Sequence, residues 1–393
     1  MLKKTATALA LGFSLAAALS STALAEGTVK IGLIMPYSGP FADAGAQMQA
    51  GIDLYVKEHG DEVAGKKIVL IKKDTGGPNP DVAKRLAQEL VVRDHVDVLA
   101  GFALTPEALG AAPVATEAKK LMVDMNAATS IITEKSPYIV RTSVTIPQIN
   151  YAFGKWAAEQ GIKHAYTLVA DYGPGHDAEK SFARGFKEKG GEIVGADHSP
   201  VANPDFSAYV QRIKDTKPEA VYIFIPGGSQ PAAIGKALAD KGLTPPNAKL
   251  LGQGELTMPD AMESLGKNAD GIVTAFHYTL ERKDPLNEKF VAGYKDLTKG
   301  REPDLFSIGG YDGMHLIYAA LEKTKGDASG DALIKVAKGM SWESPRGPIT
   351  IDPETRDIVQ NVYIRKVEKV DGKLQNVIID TIKDVKDPLH GAK

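Results

Sequence analysis

Cysteine is absent from all 393 residues. That absence excludes disulfide scaffolds, thiolate zinc sites, iron–sulfur clusters, cysteine nucleophiles and any cysteine-borne lipid anchor. Neither sign of charge dominates, with 47 Lys+Arg against 49 Asp+Glu and a formal charge of −2. Such a chain exerts no broad pull on phosphate backbones or anionic lipid, so no nucleic-acid partner is expected. Beyond the first 25 residues no apolar run is longer than Ala220–Ile225, far short of the roughly 20 residues that span a bilayer. No direct membrane insertion of the mature chain is expected.

Catalytic signatures are missing as well. There is no H-E-x-x-H and no G-x-S-x-G, so a zinc-peptidase helix and a hydrolase nucleophile elbow are both excluded. Gly228–Lys236 contains a Gly-Lys pair without P-loop spacing, and Gly173-Pro174-Gly175 lacks the third glycine of a dinucleotide fingerprint. The eight histidines are scattered. His59, His95, His164 and His198 have no ligand-type partner at close spacing and read as helix-end or loop residues, so neither a metal nor a cofactor is expected.

What is present begins with an export signal. Lys3 and Lys4 precede an apolar stretch from Ala6 to Leu19, and Ala23-Leu24-Ala25 supplies a small-x-small cleavage site. Cleavage after Ala25 would release a freely diffusing product, for which a periplasm is the fitting compartment.

From Lys30 onward, short β-branched runs alternate with segments of helical period, the pattern of an α/β fold with parallel sheets. Strands are expected at Lys30–Met35, Lys67–Lys72, Asp97–Phe102, Leu121–Met125, Ala165–Ala170, Glu192–Ala196, Ala220–Ile225, Lys249–Gly252 and Gly271–Phe276. Phe206, Tyr209, Val210 and Ile213 recur at i, i+3, i+4 and i+7, as do Met314, Ile317, Tyr318 and Leu321. Two such strand–helix series follow one another, suggesting two doubly wound lobes. A tail with two helical segments, Pro285–Leu297 and Ser307–Lys323, then a hairpin around Asp371-Gly372, should pack back onto them. The division expected is 26–145 with 280–355 for the first lobe and 146–279 with 356–393 for the second.

In open α/β sheets, ligands sit beyond the carboxyl ends of strands, where helix N-termini offer free N–H groups. Three such ends in the first series carry suitable residues: Pro36 to Gly45, including Ser38 and Phe41; Phe102 to Pro106, with Thr105 at the helix cap; and Asn126 to Ser130. Thr105, Thr129 and neighbouring amides could hold one carboxylate. Asp171-Tyr172-Gly173 is the matching end in the second series.

These residues resemble a known family. Ile31-Gly32-Leu33-Ile34, Pro36-x-Ser38-Gly39-Pro40-x-Ala42-x-x-Gly45, the stretch Gly101 to Pro113, Ala127-Ala128-Thr129, Asp171-Tyr172-Gly173, Phe206-Ser207 and Gly347-Pro348-Ile349 occur in the order seen in type I periplasmic solute-binding proteins of ABC importers, nearest the leucine/isoleucine/valine-binding branch. The resemblance implies two lobes joined by three crossings, near Val144–Pro147, Phe276–Thr279 and Asp352–Ile358. It implies a monomer that closes on a solute and delivers it to a membrane permease. Thr105, Ala127 and Thr129 would hold the ligand carboxylate, Tyr172 would face it from the second lobe, and an acidic residue for an ammonium group falls near Glu255. The chain departs from amino-acid-binding members in having Ala44 and Gly227-Gly228 where they carry aromatics. Members that bind benzoate or hydroxycinnamate relatives need a roomier cleft, which Phe41, Phe102, Phe276, His277 and Tyr278 could line. A small hydrophobic carboxylate, either amino acid or aromatic acid, is the expected ligand. The same fold would also serve as the sensing subunit of a signalling receptor, and an exported amidase or esterase is the remaining alternative.

Overall fold

The computed structural model describes residues 27–202, 204–226 and 230–390. The proposed leader and the Gly227-Gly228 turn lie outside the described residues.

In the first lobe, β1 (Thr28–Met35), β2 (Glu62–Val63), β3 (Lys66–Asp74), β4 (Val98–Gly101), β5 (Leu121–Asp124) and β6 (Ile139–Arg141) form a sheet in the order β2-β3-β1-β4-β5-β6. All neighbours are parallel except β2–β3. Helices α1 (Ala42–His59), α2 (Pro80–Val92) and α3 (Thr105–Ala118) connect the strands. Their starts follow local chemistry: Asn79 accepts from the Val82 N–H at 3.1 Å, with Pro80 in the first turn of α2, where its missing N–H costs nothing.

The second lobe runs through α4 (Ile146–Glu159), β7 (His164–Ala170), α5 (Gly173–Glu188), β8 (Glu192–Ser199), α6 (Ser207–Thr216), β9 (Ala220–Phe224), α7 (Gln230–Asp240), β10 (Lys249–Gln253), α8 (Pro259–Leu265) and β11 (Val273–Phe276). The chain then adds α9 (Pro285–Leu297), α10 (Leu305–Lys323) and α11 (Gly330–Ala337), followed by β12 (Ser341–Ser344), β13 (Gly347–Ile351), β14 (Ile358–Val370) and β15 (Lys373–Val385). Strands β8-β7-β9-β10-β11 are parallel, and β14 joins β11 antiparallel, with β13, β12 and β15 following it. The second sheet therefore has the expected parallel centre and is extended by antiparallel strands from the tail. The long β14–β15 hairpin turns at Asp371-Gly372, both with positive φ (+50° and +82°), as a tight hairpin requires.

Each sheet is covered on both faces, which accounts for the near-continuous hydrophobicity of its strands. In the first lobe, Met314, Ile317 and Leu321 of α10 join Ile31, Leu33 and Val123 on one face, while Ala83 and Leu90 of α2 and Ala111 of α3 cover Ile34 and Leu99 on the other. Close packing of α10 against α1 depends on Gly51, because a Cβ there would overlap the Ser307 carbonyl. In the second lobe, Phe153, Phe182 and Phe186 cover one face, and Val210, Ile213, Leu238 and Leu265 the other.

The third passage between lobes departs from a simple crossing. Residues 341–351, expected with the first lobe, are hydrogen-bonded into the second sheet through β13–β14. Their side chains Trp342 and Ile351 nevertheless pack in the first-lobe core. A buried polar layer ties the passages together. The Arg346 guanidinium pairs with Asp312 at 2.9 Å and donates to the carbonyls of Ser143 (3.0 Å) and Thr142. Gln360 donates to the Ser143 carbonyl (2.8 Å) and to Gln148 (2.9 Å), and Gln148 donates to the Ile358 carbonyl (2.9 Å). Beyond β15 the chain returns to the first lobe: Ser130 donates to Asp387, and His390 Nε2 lies 2.9 Å from the Ser130 carbonyl and 2.5 Å from Asp357.

Candidate functional site

Ala128 beyond β5 of the first lobe meets Tyr172, Phe224 and Met258, at or beyond the carboxyl ends of β7, β9 and β10, in one apolar cluster between the lobes. On the first-lobe side, the Thr105 and Thr129 hydroxyls meet at 2.9 Å, and both residues are half-buried. Thr105 is the first residue of α3 rather than its cap. Leu104 occupies the capping position, where its N–H donates to the Glu107 carboxylate at 2.9 Å. The Thr105 hydroxyl is therefore spared from capping.

The 127–130 loop is held from beneath by a residue that sequence reasoning missed. Arg141, wholly buried at the end of β6, donates to the carbonyls of Ala127 (3.0 Å), Thr129 (2.9 Å), Val144 and Ser130 (both 3.4 Å), and pairs with Asp357 at 2.7 Å. With its carbonyls turned toward the guanidinium, the loop also gains a fixed positive charge behind it, which favours an anion in front. The signal was an arginine closing an otherwise apolar Ile139-Val140-Arg141 strand.

Two expected contributors are committed elsewhere. The Ala127 N–H donates to the Phe102 carbonyl at 3.0 Å, and its own carbonyl accepts from Arg141, so that peptide has no free group for a ligand. Phe102 does not line the cleft. It is fully buried beside Ile34, Leu99, Ala108 and Ile132, with φ at +65° just after Gly101. That left-handed turn lets its N–H reach the Ile34 carbonyl at 2.8 Å while its own carbonyl meets Ala127, cross-linking three strand ends at a conformation uncommon for a bulky residue.

Ser38 and Phe41 sit on the exposed turn between β1 and α1. Asp74 anchors this turn at Oδ1, accepting the N–H groups of Tyr37 (2.8 Å), Ser38 (3.2 Å) and Gly76 (2.8 Å). Burial acts against the Asp74 carboxylate, but these bonds and the Ser38 hydroxyl hold its pKa below the usual range.

From the second lobe, Tyr172 caps α5 at the end of β7, and its ring lies 6.3 Å from that of Phe224. Its phenol pKa is pushed up by burial and by the charge of Glu255, which places those two side chains in one field. Glu255 follows β10; its Oε1 accepts from Gln253 at 3.0 Å. Its Oε2 is sealed from solvent without a partner, and burial raises its pKa despite the bonds from its own backbone and Gln253 and the pull of Arg365. Arg365, also missed from sequence, holds this turn from within: it donates to the carbonyls of Tyr278 (3.0 Å) and Gly254 (3.2 Å) and to the Thr274 hydroxyl (3.0 Å). Each lobe thus builds its ligand-side turn on a buried arginine.

His277 lies in the second passage, buried, edge-on to Phe276 at 4.6 Å, with neither ring nitrogen partnered. Burial, then Arg346 and Arg365, push its pKa well below the ordinary value, so the ring is neutral.

Between the two polar sides the walls are apolar. Ala128, Leu305 and Phe306 of the first lobe belong to the same cluster as Tyr172, Phe224 and Met258 of the second. Past Met258 the gap continues into a cavity of about 390 Å³, lined by Gln47, Arg301, Glu302 and Asp304 of the first lobe and Asp260 and Glu263 of the second. Asp304 caps α10 through Oδ1 (2.9 and 3.1 Å to the Phe306 and Ser307 N–H groups), while its Oδ2 has no partner. Burial raises its pKa to about 7.

Two doubly wound lobes, short passages sharing a buried polar layer, and a cleft polar at its ends and apolar between them define a hinge-closing binder of small molecules. Comparison with known proteins makes this specific: the chain belongs to the periplasmic binding protein family, which matches residues 28–373. It is a solute-binding protein of the ABC-importer type. It is 44% identical over 390 residues, 99% of each chain, to Leu/Ile/Val-binding protein homolog 6 of Brucella melitensis biotype 1. A solute-binding protein of an ABC transporter from Rhodopseudomonas palustris BisB5, solved in complex with 3,4-dihydroxybenzoic acid, is 52% identical with a TM-score of 0.86, covering 92% of this chain and 99% of that one. Another from Rhodopseudomonas palustris HaA2, in complex with p-hydroxybenzoic acid, is 42% identical, also with a TM-score of 0.86, covering 92% and 98%. The family implies a periplasmic location, and among the described residues no helix is long and apolar enough to cross a membrane.

Proposed function

We propose that the protein captures a hydroxylated benzoate in the periplasm and hands it to the membrane permease of an ABC importer. It acts as a monomer released by cleavage after Ala25 and makes or breaks no bond. The observation that carries this reading is a pair of complementary polar ends with an apolar cluster shared by both lobes: the Thr105–Thr129 hydroxyl pair on one lobe and, on the other, Glu255, whose Oε2 has no partner. The hydroxyls donate to the ligand carboxylate, Tyr172, Met258 and Phe306 pack on the ring, and Glu255 accepts a ring hydroxyl, ending its unpartnered state. A ligand touching both lobes binds the closed form better and shifts the population toward it, which is the form a permease reads. The small Ala44, buried where amino-acid-binding members carry an aromatic, and the 52% relative's dihydroxybenzoate complex support an aromatic acid.

A branched-chain amino acid is the second reading, because the same free Glu255 oxygen would meet an ammonium group. Calorimetric titration with 4-hydroxybenzoate, 3,4-dihydroxybenzoate, benzoate and leucine separates them. Wild type should bind the hydroxybenzoates, and Glu255→Gln, which keeps an acceptor, should weaken them by no more than about tenfold. Leucine binding without hydroxybenzoate binding would overturn the proposal.

A further inference from the structure

We infer a divalent transition-metal site on the second lobe, formed by Asp171, His176 and His198. The three are far enough apart in sequence to carry no motif, but the fold gathers them where the carboxyl ends of β7 and β8 meet the first turn of α5. His198 is in β8, paired in register with Val169 of β7, rather than in a loop as its sequence context suggests. One ligand atom from each residue lies within 4.8 Å of the others. The His176 and His198 rings stand 4.7 Å apart at 87°, and His176 Nε2 is 2.9 Å from the Asp171 carboxylate. Tetrahedral zinc with bonds of about 2.0–2.1 Å needs its ligands about 3.3 Å apart, a spacing that these exposed side chains reach by rotation alone.

Two further features distinguish this set from ordinary surface polarity. Glu179 accepts from the Thr167 hydroxyl at 2.5 Å and lies 2.7 Å from His198 Nε2. This carboxylate–histidine pairing fixes the tautomer and leaves Nδ1 of that ring for a metal. Among the described residues, Asp171 and Glu179 form ion pairs with no lysine or arginine, only with His176 and His198 themselves, so no outside cation competes for the cluster. The other grouping of this kind among the described residues, Asp357, Asp387 and His390, is used up internally, with Asp357 on Arg141 and Asp387 on Ser130. Three protein ligands on an exposed edge leave a coordination position open to water, and the borderline nitrogen and oxygen donors suit zinc, nickel or copper over calcium or magnesium.

The test is calorimetric titration of the tag-free protein with zinc chloride at pH 7.5, repeated with His198→Ala, with the His176→Ala/His198→Ala pair, and with His164→Ala as an exposed-histidine control. Saturable uptake of one zinc per chain is expected, weakened roughly 10–100-fold by His198→Ala, abolished by the pair, and unchanged by the control. Absence of saturable uptake overturns the inference, as does uptake unaffected by the pair or equally reduced by the control.

Discussion

The hydroxyl pair gives the sharpest test of the cleft. Thr105→Val keeps the shape of the side chain and removes only the oxygen that lies 2.9 Å from Thr129. A hydrogen bond to a charged acceptor contributes about 1.5–3 kcal/mol; because both threonines are half-buried, the lower part of that range applies, about 1.5–2 kcal/mol. That is a loss of roughly 12- to 30-fold in affinity. If one hydroxyl donates to the carboxylate while accepting from the other, the two substitutions are coupled. Thr105→Val and Thr129→Val together should then cost about 0.5–1 kcal/mol less than the sum of the single changes. Calorimetry with 4-hydroxybenzoate measures all four corners of this cycle, and its methyl ester, which lacks the charge, should bind weakly and be indifferent to the substitutions. Thr105→Val within twofold of wild type, or an equal loss for the ester, would refute the carboxylate clamp.

Two other substitutions probe the buried groups behind the cleft. Arg141→Met takes the guanidinium from Asp357 Oδ1 and from four backbone carbonyls, leaving the carboxylate only its His390 and Thr133 partners, so the chain should lose about 3–5 kcal/mol of stability in a denaturant titration; a loss under about 1 kcal/mol would show that the loop holds its shape unaided. Asp304 has a folded pKa of about 7, raised from an ordinary 3.8, so the folded chain keeps a proton that the unfolded chain has released. Stability from this group is full below the ordinary value and drains away as pH climbs through 7, at no more than about 1.4 kcal/mol per pH unit. Asp304→Asn should flatten that decline in melts taken from pH 4 to pH 8, whereas parallel curves for the two proteins would exclude Asp304 as its source.

The elements that could be read from the chain were those whose period and end signals agreed. Pro285–Leu297 is a helix with the expected bounds, Pro80 opens α2, and the nine expected strands all occur with ends shifted by at most a few residues. The long hairpin was visible in Asp371-Gly372 because only a tight turn asks for positive φ at both residues. The short strands β6 and β12 were missed, and the antiparallel seating of β14 on β11, which attaches the hairpin to the second sheet, left no mark in the sequence. Within the cleft, Thr105, Thr129 and Tyr172 were candidates because strand ends and helix starts mark where a ligand can sit, and Glu255 because of the family resemblance; the structure brings the two threonine hydroxyls to 2.9 Å. Phe102 misled for that same reason: a strand-end aromatic looks available until the backbone turns left-handed and buries it. Arg365 escaped notice because the carbonyls it binds come from distant segments, whereas Arg141 left one trace, a charge at the end of an apolar run, whose carbonyl partners between 127 and 144 only the folded loop reveals.

The returning C-terminus bears on how this protein can be handled at the bench. Asp387 and His390 reach back from the second lobe to Ser130, the residue beside Thr129, so this end of the chain is moored to the very loop that would grip an anion. An affinity tag or fluorescent reporter fused after Lys393 would begin three residues beyond His390. It would tug on that mooring each time the lobes part. Fusions placed ahead of β1, which begins at the exposed Thr28, leave the mooring untouched. A biosensor built on this scaffold should therefore carry its reporter at the front of the chain, and a variant trimmed before Asp387 should open and close with a different balance from the intact protein.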